Sequence, residues 1–289
     1  MPTKVEKDTF SGRDTTGHEW DGLKELNTPL PKWWLYVLAA TVVWALVLLV
    51  LYPSVPYGPG HTKGLLGYST RAQVDADVKA LVAQRAVFMD KIAALPIEKV
   101  KADPQLDAMA QTAGRIAFAN NCQPCHGAGG GGRPGYPNLA SDVWRWGGTL
   151  AQIERTITHG VRSGDPDAHV SQMPRFGADG ILKPEQIQQV ADYVWTLFGN
   201  AAPAAGVAAG KQLFADNCAV CHGDKAQGNH DVGTPPLNSR VHLFANTRDE
   251  IVAQVTNPRM GVMPNWNKRL DPATIRSLAI YVHALGGGE

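Results

Sequence analysis

Two hexapeptides hold all four cysteines of this 289-residue chain: Asn121-Cys122-Gln123-Pro124-Cys125-His126 and Asn217-Cys218-Ala219-Val220-Cys221-His222. A disulfide framework scatters cysteines along a chain, and a structural zinc site gathers four ligands from two pairs. Here each pair carries its own adjacent histidine, and no cysteine is left over. Cys-x-x-Cys-His is the arrangement by which a c-type haem is attached. The two thiols reach the two vinyl groups, and the histidine that follows ligates iron from the proximal side. Two matches point to two covalently bound haems c, one on Cys122, Cys125 and His126 and one on Cys218, Cys221 and His222.

Iron held this way still lacks a sixth ligand. Met173 lies in Gln172-Met173-Pro174, 47 residues after His126, and Met263 lies in Val262-Met263-Pro264, 41 after His222. A thioether opposite histidine gives a closed, six-coordinate iron with a raised potential, suited to electron transfer. The proline after each methionine stiffens the loop that carries the sulfur. Met260, His159, His169, His230 and His242 are the alternatives, and each methionine is assigned by default to the haem of its own half. A proline carbonyl, Pro137 in one half and Pro235 or Pro236 in the other, is placed to accept the proximal histidine N–H. Arg133, Arg145, Arg162, Arg175 and Arg259 are available for the haem propionates, with none singled out. A zinc site made from all four cysteines would leave both histidines idle. The run Gly130 to Gly132 lacks the strand, the Gly-Lys-Ser/Thr and the helix start of a phosphate loop.

The elements that carry these residues form a repeat. Gly114-Arg-Ile-Ala-Phe118-Ala-Asn-Asn-Cys122 overlays Gly210-Lys-Gln-Leu-Phe214-Ala-Asp-Asn-Cys218 at an offset of 96. Each copy continues into a Gly-rich loop, a Pro/Leu element, a Met-Pro pair and a closing amphipathic helix, marked by Ile187, Val190, Val194 and Leu197 in one and by Ile275, Leu278, Val282 and Leu285 in the other. The expected organisation is cytochrome c-type domain 1 over 109–199, a linker over 200–206 and domain 2 over 207–289. Domains this small bury little surface, and a large apolar cofactor would complete each core.

Before the repeat, residues 33–52 read WWLYVLAATVVWALVLLVLY, without a charge. Twenty helical residues span roughly 30 Å, a bilayer's hydrocarbon core. The aromatic residues at both ends suit the headgroup regions. An uncleaved membrane anchor is expected there, after an N-terminal segment over 1–32 and before a partly helical connector over 53–108. No strand alternation is convincing, so the fold class is all-α: one N-terminal transmembrane helix followed by two tandem cytochrome c-type domains. Lys and Arg total 27 against 26 Asp and Glu, which excludes the single-signed field of a nucleic-acid binder.

Beyond the haem motifs, the chain resembles the dihaem, membrane-anchored subunit family of cbb3-type cytochrome c oxidase, CcoP or FixP. The stretches that carry this are Asp21-Gly-Leu-Lys-Glu-Leu-Asn-Thr-Pro-Leu-Pro-Lys-Trp-Trp34, Gly64-Leu-Leu-Gly-Tyr-Ser69 and Tyr281-Val-His-Ala-Leu-Gly-Gly-Gly-Glu289. The resemblance implies a non-catalytic electron-entry subunit that takes electrons from a cytochrome c donor. It passes them towards a monohaem c subunit and a catalytic subunit holding haem b and copper. Carried over by position, Cys122, Cys125, Cys218 and Cys221 bind the two haems, and His126, Met173, His222 and Met263 are the axial iron ligands. Partners would be those oxidase subunits, the donor and the lipid bilayer. The setting would be a bacterial inner membrane crossed once, with the N-terminus cytoplasmic and the haem domains periplasmic. A free-standing tethered dihaem carrier is the alternative. A dihaem peroxidase would need an open sixth position, against which both Met-Pro pairs stand.

Overall fold

The computed structural model describes residues 4–288, which divide into two units, Met1–Val82 and Ala83–Glu289. The first unit opens with an antiparallel hairpin, β1 (Thr15–Trp20) and β2 (Leu23–Leu26). The chain is mostly helical, as expected for the all-α class, and the described residues add two short two-stranded hairpins, both in this unit. The strands are short and largely exposed, so they show no alternation, yet the turn had a signal. Asp21 and Gly22 both take positive φ, 50° and 84°, as an Asp-Gly hairpin turn requires. A helix, α1 (Lys32–Leu51), follows with no buried residue on any face. Its last carbonyls are not left bare: Leu65 and Leu66 return their N–H groups to the carbonyls of Val50 and Leu51 at 3.0 and 3.1 Å. Gly64 makes that return possible, since a β-carbon there would lie 2.4 Å from the Leu51 carbonyl oxygen. A second short hairpin, β3 (Pro56–Tyr57) with β4 (Gly60–His61), precedes α2 (Thr70–Ala94).

The second unit contains α3 (Ile97–Ala102), α4 (Pro104–Asn121), α5 (Gln123–His126), α6 (Leu150–His159), α7 (Pro184–Leu197), α8 (Ala204–Asn217), α9 (Ala219–His222), α10 (Arg248–Thr256) and α11 (Pro272–His283). The starts of the two middle helices are built alike. Thr149 with Gln152 closes a capping box on α6, and Thr247 with Glu250 closes one on α10.

These helices form two cores, and each core draws on both repeats. In the first, Leu106, Ala110 and Phe118 of α4 and Ile153 and Ile157 of α6 pack against Ile275, Leu278 and Val282 of α11, the closing helix of the other repeat. In the second, Phe214 of α8 and Ile251 and Val255 of α10 pack against Ile187, Val190 and Val194 of α7. The closing helices are exchanged reciprocally. The first core also takes Ile92 from α2 and Ile97 and Val100 from α3, so the end of the connector is structural.

Matching contacts hold the two exchanges. Gly114 and Gly210 let the crossing backbones touch: a β-carbon would lie 2.1 Å from the Ser277 carbonyl oxygen in one and 1.9 Å from that of Gln189 in the other. Phe118 meets Tyr281 at 5.4 Å between ring centres, and Phe214 meets Tyr193 at 5.3 Å. An ion pair ties middle to closing helix in each core: Arg276 to Glu154 at 2.9 Å, and Arg248 to the buried carboxylate of Asp192 at 2.6 Å. Replacing Gly114 or Gly210 with alanine must push two helices apart, an overpacking expected to cost about 1–3 kcal/mol. Thermal denaturation of the haem-loaded protein checks this, and an unchanged midpoint would mean that the crossings are loose.

Candidate functional site

Each Cys-x-x-Cys-His folds as a single helical turn. His126 N–H donates to the Cys122 carbonyl at 2.9 Å, and His222 N–H to the Cys218 carbonyl at the same distance. Residues three and four apart share a face of such a turn, so both thiols and the imidazole point one way. Gly127 and Gly223 end the turns at φ 79° and 80°, and the chain then folds back to bring a proline carbonyl to the histidine. His126 Nδ1 lies 3.1 Å from the Pro137 oxygen and His222 Nδ1 3.1 Å from that of Pro235, so Pro235 rather than Pro236 fills the role in the second repeat. An Nδ1–H committed to a carbonyl leaves Nε2 as the free lone pair. Burial lowers both histidine pKa values, which favours the neutral, ligating form.

The thiols are prepared differently from those of a redox dithiol. Burial, reinforced by the neighbouring cysteine, pushes Cys122 and Cys218 up to about 11, whereas redox cysteines have depressed values. All four cysteines are free. Among the described residues the four do not converge on one point. The one cluster of histidines and carboxylates within ligand reach there is His159, Asp165 and Asp167. That cluster is engaged internally: His159 Nδ1 lies 2.9 Å from Asp165, and Asn267 donates to Asp165 at 2.8 Å. These bonds, Asn267 first, hold the Asp165 carboxyl down to about 2 and fasten the loop after Met263 to α6.

The methionines do not lie with the motif of their own repeat. Met173 lines a cavity of about 240 Å³ together with Cys218, Cys221 and His222, and it packs against the second core. Met263 packs against the first core, as Cys122 does. Each methionine thus lies with the core of the other repeat's attachment turn, a placement set by the exchange. After α6 the chain leaves for the second core, where Gly177 and Ala178 donate to the Thr256 carbonyl at the end of α10. After α10 it returns, and Trp266 and Asn267 donate to the Thr158 carbonyl at the end of α6. Of the alternatives, His169 is stacked on Trp146 and bonded to Thr156, and His159 is held by Asp165. His242 lines the cavity of His222 but stacks on Phe198, and Met260, also at that cavity, is exposed.

The arginines are sorted by the same cavity. Arg145 and Arg162 from the first repeat and Arg259 from the second line the cavity that holds His222 and Met173. Burial, and then the proximity of Arg162, lowers Arg145 to about 10. Among the described residues no carboxylate pairs with either. Three guanidiniums lining an apolar cavity with two thiols, an imidazole and a thioether match the donor set for a haem whose propionates are anionic. Arg175 is spent on Asp179, while Arg133 and Arg259 reach the carbonyls of Pro124 and Phe244. Spacing alone does not rank the five, because which arginines reach this cavity depends on the exchange.

Comparisons with known proteins cover the whole of this architecture. Residues 12–59 match the family described as the N-terminal domain of cytochrome oxidase-cbb3, FixP; residues 111–198 match cytochrome c; residues 205–282 match cytochrome C oxidase, cbb3-type, subunit III. The cbb3-type cytochrome c oxidase subunit CcoP of Azospirillum sp. (strain B510) is 51% identical, over 98% of each chain. Subunit FixP of Azorhizobium caulinodans is 48% identical, over 98% of this chain and 96% of its own, and subunit CcoP of Cereibacter sphaeroides is 46% identical over all of both.

Proposed function

Since the chain belongs to the CcoP/FixP family of cbb3-type cytochrome c oxidase subunits, we propose that its two attachment sites are the entry relay of the oxidase, each site completed by a methionine from the other repeat. Membership makes the chain an electron-transfer subunit of the oxidase complex, carrying covalently bound haem c in its cytochrome c domains. In the proposed arrangement, Cys122, Cys125 and His126 hold one haem with Met263 as its sixth ligand. Cys218, Cys221 and His222 would hold the other with Met173, in the cavity that Arg145, Arg162 and Arg259 line. When bound, the haems supply reversible one-electron chemistry at iron.

The observation that carries this reading is the placement of Met173 in the cavity of Cys218 and His222. The chain's own residues do the rest. Pro137 and Pro235 orient the imidazoles, the two cores exclude water, and a methionine at each sixth position closes iron to small molecules, which makes the subunit non-catalytic. Cys125, Cys221 and its neighbour Val220 are exposed, so the attached edge of each haem would be open to a partner. That edge would receive electrons from a cytochrome c donor and pass them to the monohaem and haem b/copper subunits. Helix α1 anchors the subunit in the inner membrane, with the haem domains on the periplasmic side.

Purification of the tagged chain from its native membranes tests the assignment. Haem b and copper are expected in fixed ratio to two haems c. Two haems c with neither would overturn it in favour of a free-standing carrier.

A further inference from the structure

Val161 and Arg162 follow the glycine that ends α6, at the point where the loops carrying the two methionines pass each other. Val161 exchanges both backbone hydrogen bonds with Met263, each 3.0 Å long. Arg162 has φ 51°, a left-handed conformation that residues with side chains rarely adopt. Its own N–H bonds the His169 carbonyl at 2.8 Å. Its guanidinium reaches in two directions, with Nε donating to the Gly261 carbonyl at 2.7 Å and Nη1 to the Ser171 carbonyl at 2.9 Å. Gly261 stands two residues before Met263, and Ser171 two residues before Met173. One side chain thus holds the approach to both proposed sixth ligands, one from each repeat.

We infer that Arg162 is a positioning residue shared by the two haem sites: a strut that keeps both methionine sulfurs seated, so that the sixth positions open or stay closed together. This rests on the reading of Met173 and Met263 as the axial ligands. Both bonds run from an ionised donor to a backbone carbonyl, and such bonds are shorter and stronger than neutral ones. The two acceptors are met by a planar fork with fixed donor directions, which a lysine ammonium cannot reproduce. A residue that acted only through its charge would behave differently. It would affect the second site, whose cavity it lines beside Arg145, and lysine would replace it.

The test uses the full chain with both haems attached. Carbon monoxide binds a ferrous haem of this type only when the thioether leaves, so its uptake counts open sites. In Arg162→Lys and Arg162→Gln, uptake is expected at two haems per chain, about tenfold faster than in the unaltered protein, the opening that corresponds to the loss of one hydrogen bond to a charged group. The red charge-transfer band of thioether-ligated ferric haem should weaken in step. Arg145→Gln removes the neighbouring charge without touching either loop; it should lower the midpoint potential of one haem and leave both closed. Lysine behaving like the unaltered protein, or uptake at one haem only, would overturn the strut. Met173→Ala and Met263→Ala are measured alongside. If each opens one haem while Arg162→Lys opens none, the strut alone fails; if neither opens a haem, the ligand assignment fails and the strut falls with it.

Discussion

Met263→Ala is expected to open the haem attached at Cys122 and Cys125, and to leave the haem of its own repeat closed. In a variant lacking the second attachment pair, Cys218→Ala with Cys221→Ala, one haem remains. Met263→Ala should then convert it from closed to carbon monoxide-binding, while Met173→Ala should not. In the reciprocal variant, Cys122→Ala with Cys125→Ala, the roles should invert. The effect is all-or-none because the sixth position has a single thioether to lose, and solvent or a small ligand enters once it has gone. Opening by the methionine of the same repeat would contradict the placement of Met173 beside His222 and of Met263 in the first core.

The second large effect concerns the linker. Residues 207–289 produced alone contain α8 from its fourth residue and all of α9 to α11, but not α7 or Met173, so the second core loses Ile187, Val190 and Val194. Each such side chain contributes roughly 1.5–3 kcal/mol when fully buried. A domain whose total stability is about 5–15 kcal/mol cannot lose three of them and its ion pair to Arg248 and still fold. The fragment should therefore show no cooperative unfolding and no thioether-ligated haem. Mixing it with residues 83–206 should restore both, since the two pieces together hold every exchanged helix. A fragment that melted cooperatively by itself, with a closed haem, would show the exchange to be dispensable.

Much of this site was legible in the sequence because its chemistry is local. Cys-x-x-Cys-His is one helical turn, so five consecutive residues specify the attachment geometry, and both proximal prolines lie within 13 residues of their histidines. The apolar helix α1 was legible for the same reason, as an uninterrupted run without a charge. What could not be read was which helix closes which core. The two closing helices carry interchangeable apolar patterns, and Gly114 and Gly210 prepare equivalent crossings, so neither repeat states which partner it takes. The Asp21-Gly22 hairpin is a different case. Its turn signal was present, but strands with one wet face and little burial offer no alternation to notice. The sorting of the arginines followed from the exchange and could not precede it.

The exchanged closing helices also impose an order in time. The first repeat is made first, yet its core contains α11 (Pro272–His283), which is made only after all the other helices of the second repeat. Until α11 has been made and delivered, the first attachment turn stands at an unfinished surface, with Phe118 and Ile153 uncovered and its thiols approachable. Contacts separated by so much chain form slowly, because a long loop must close before they can. The second core meets no such wait, since α7 precedes α8 in the chain. The subunit is therefore sealed from its far end backwards, and the interval before sealing is when a haem can be brought to Cys122 and Cys125.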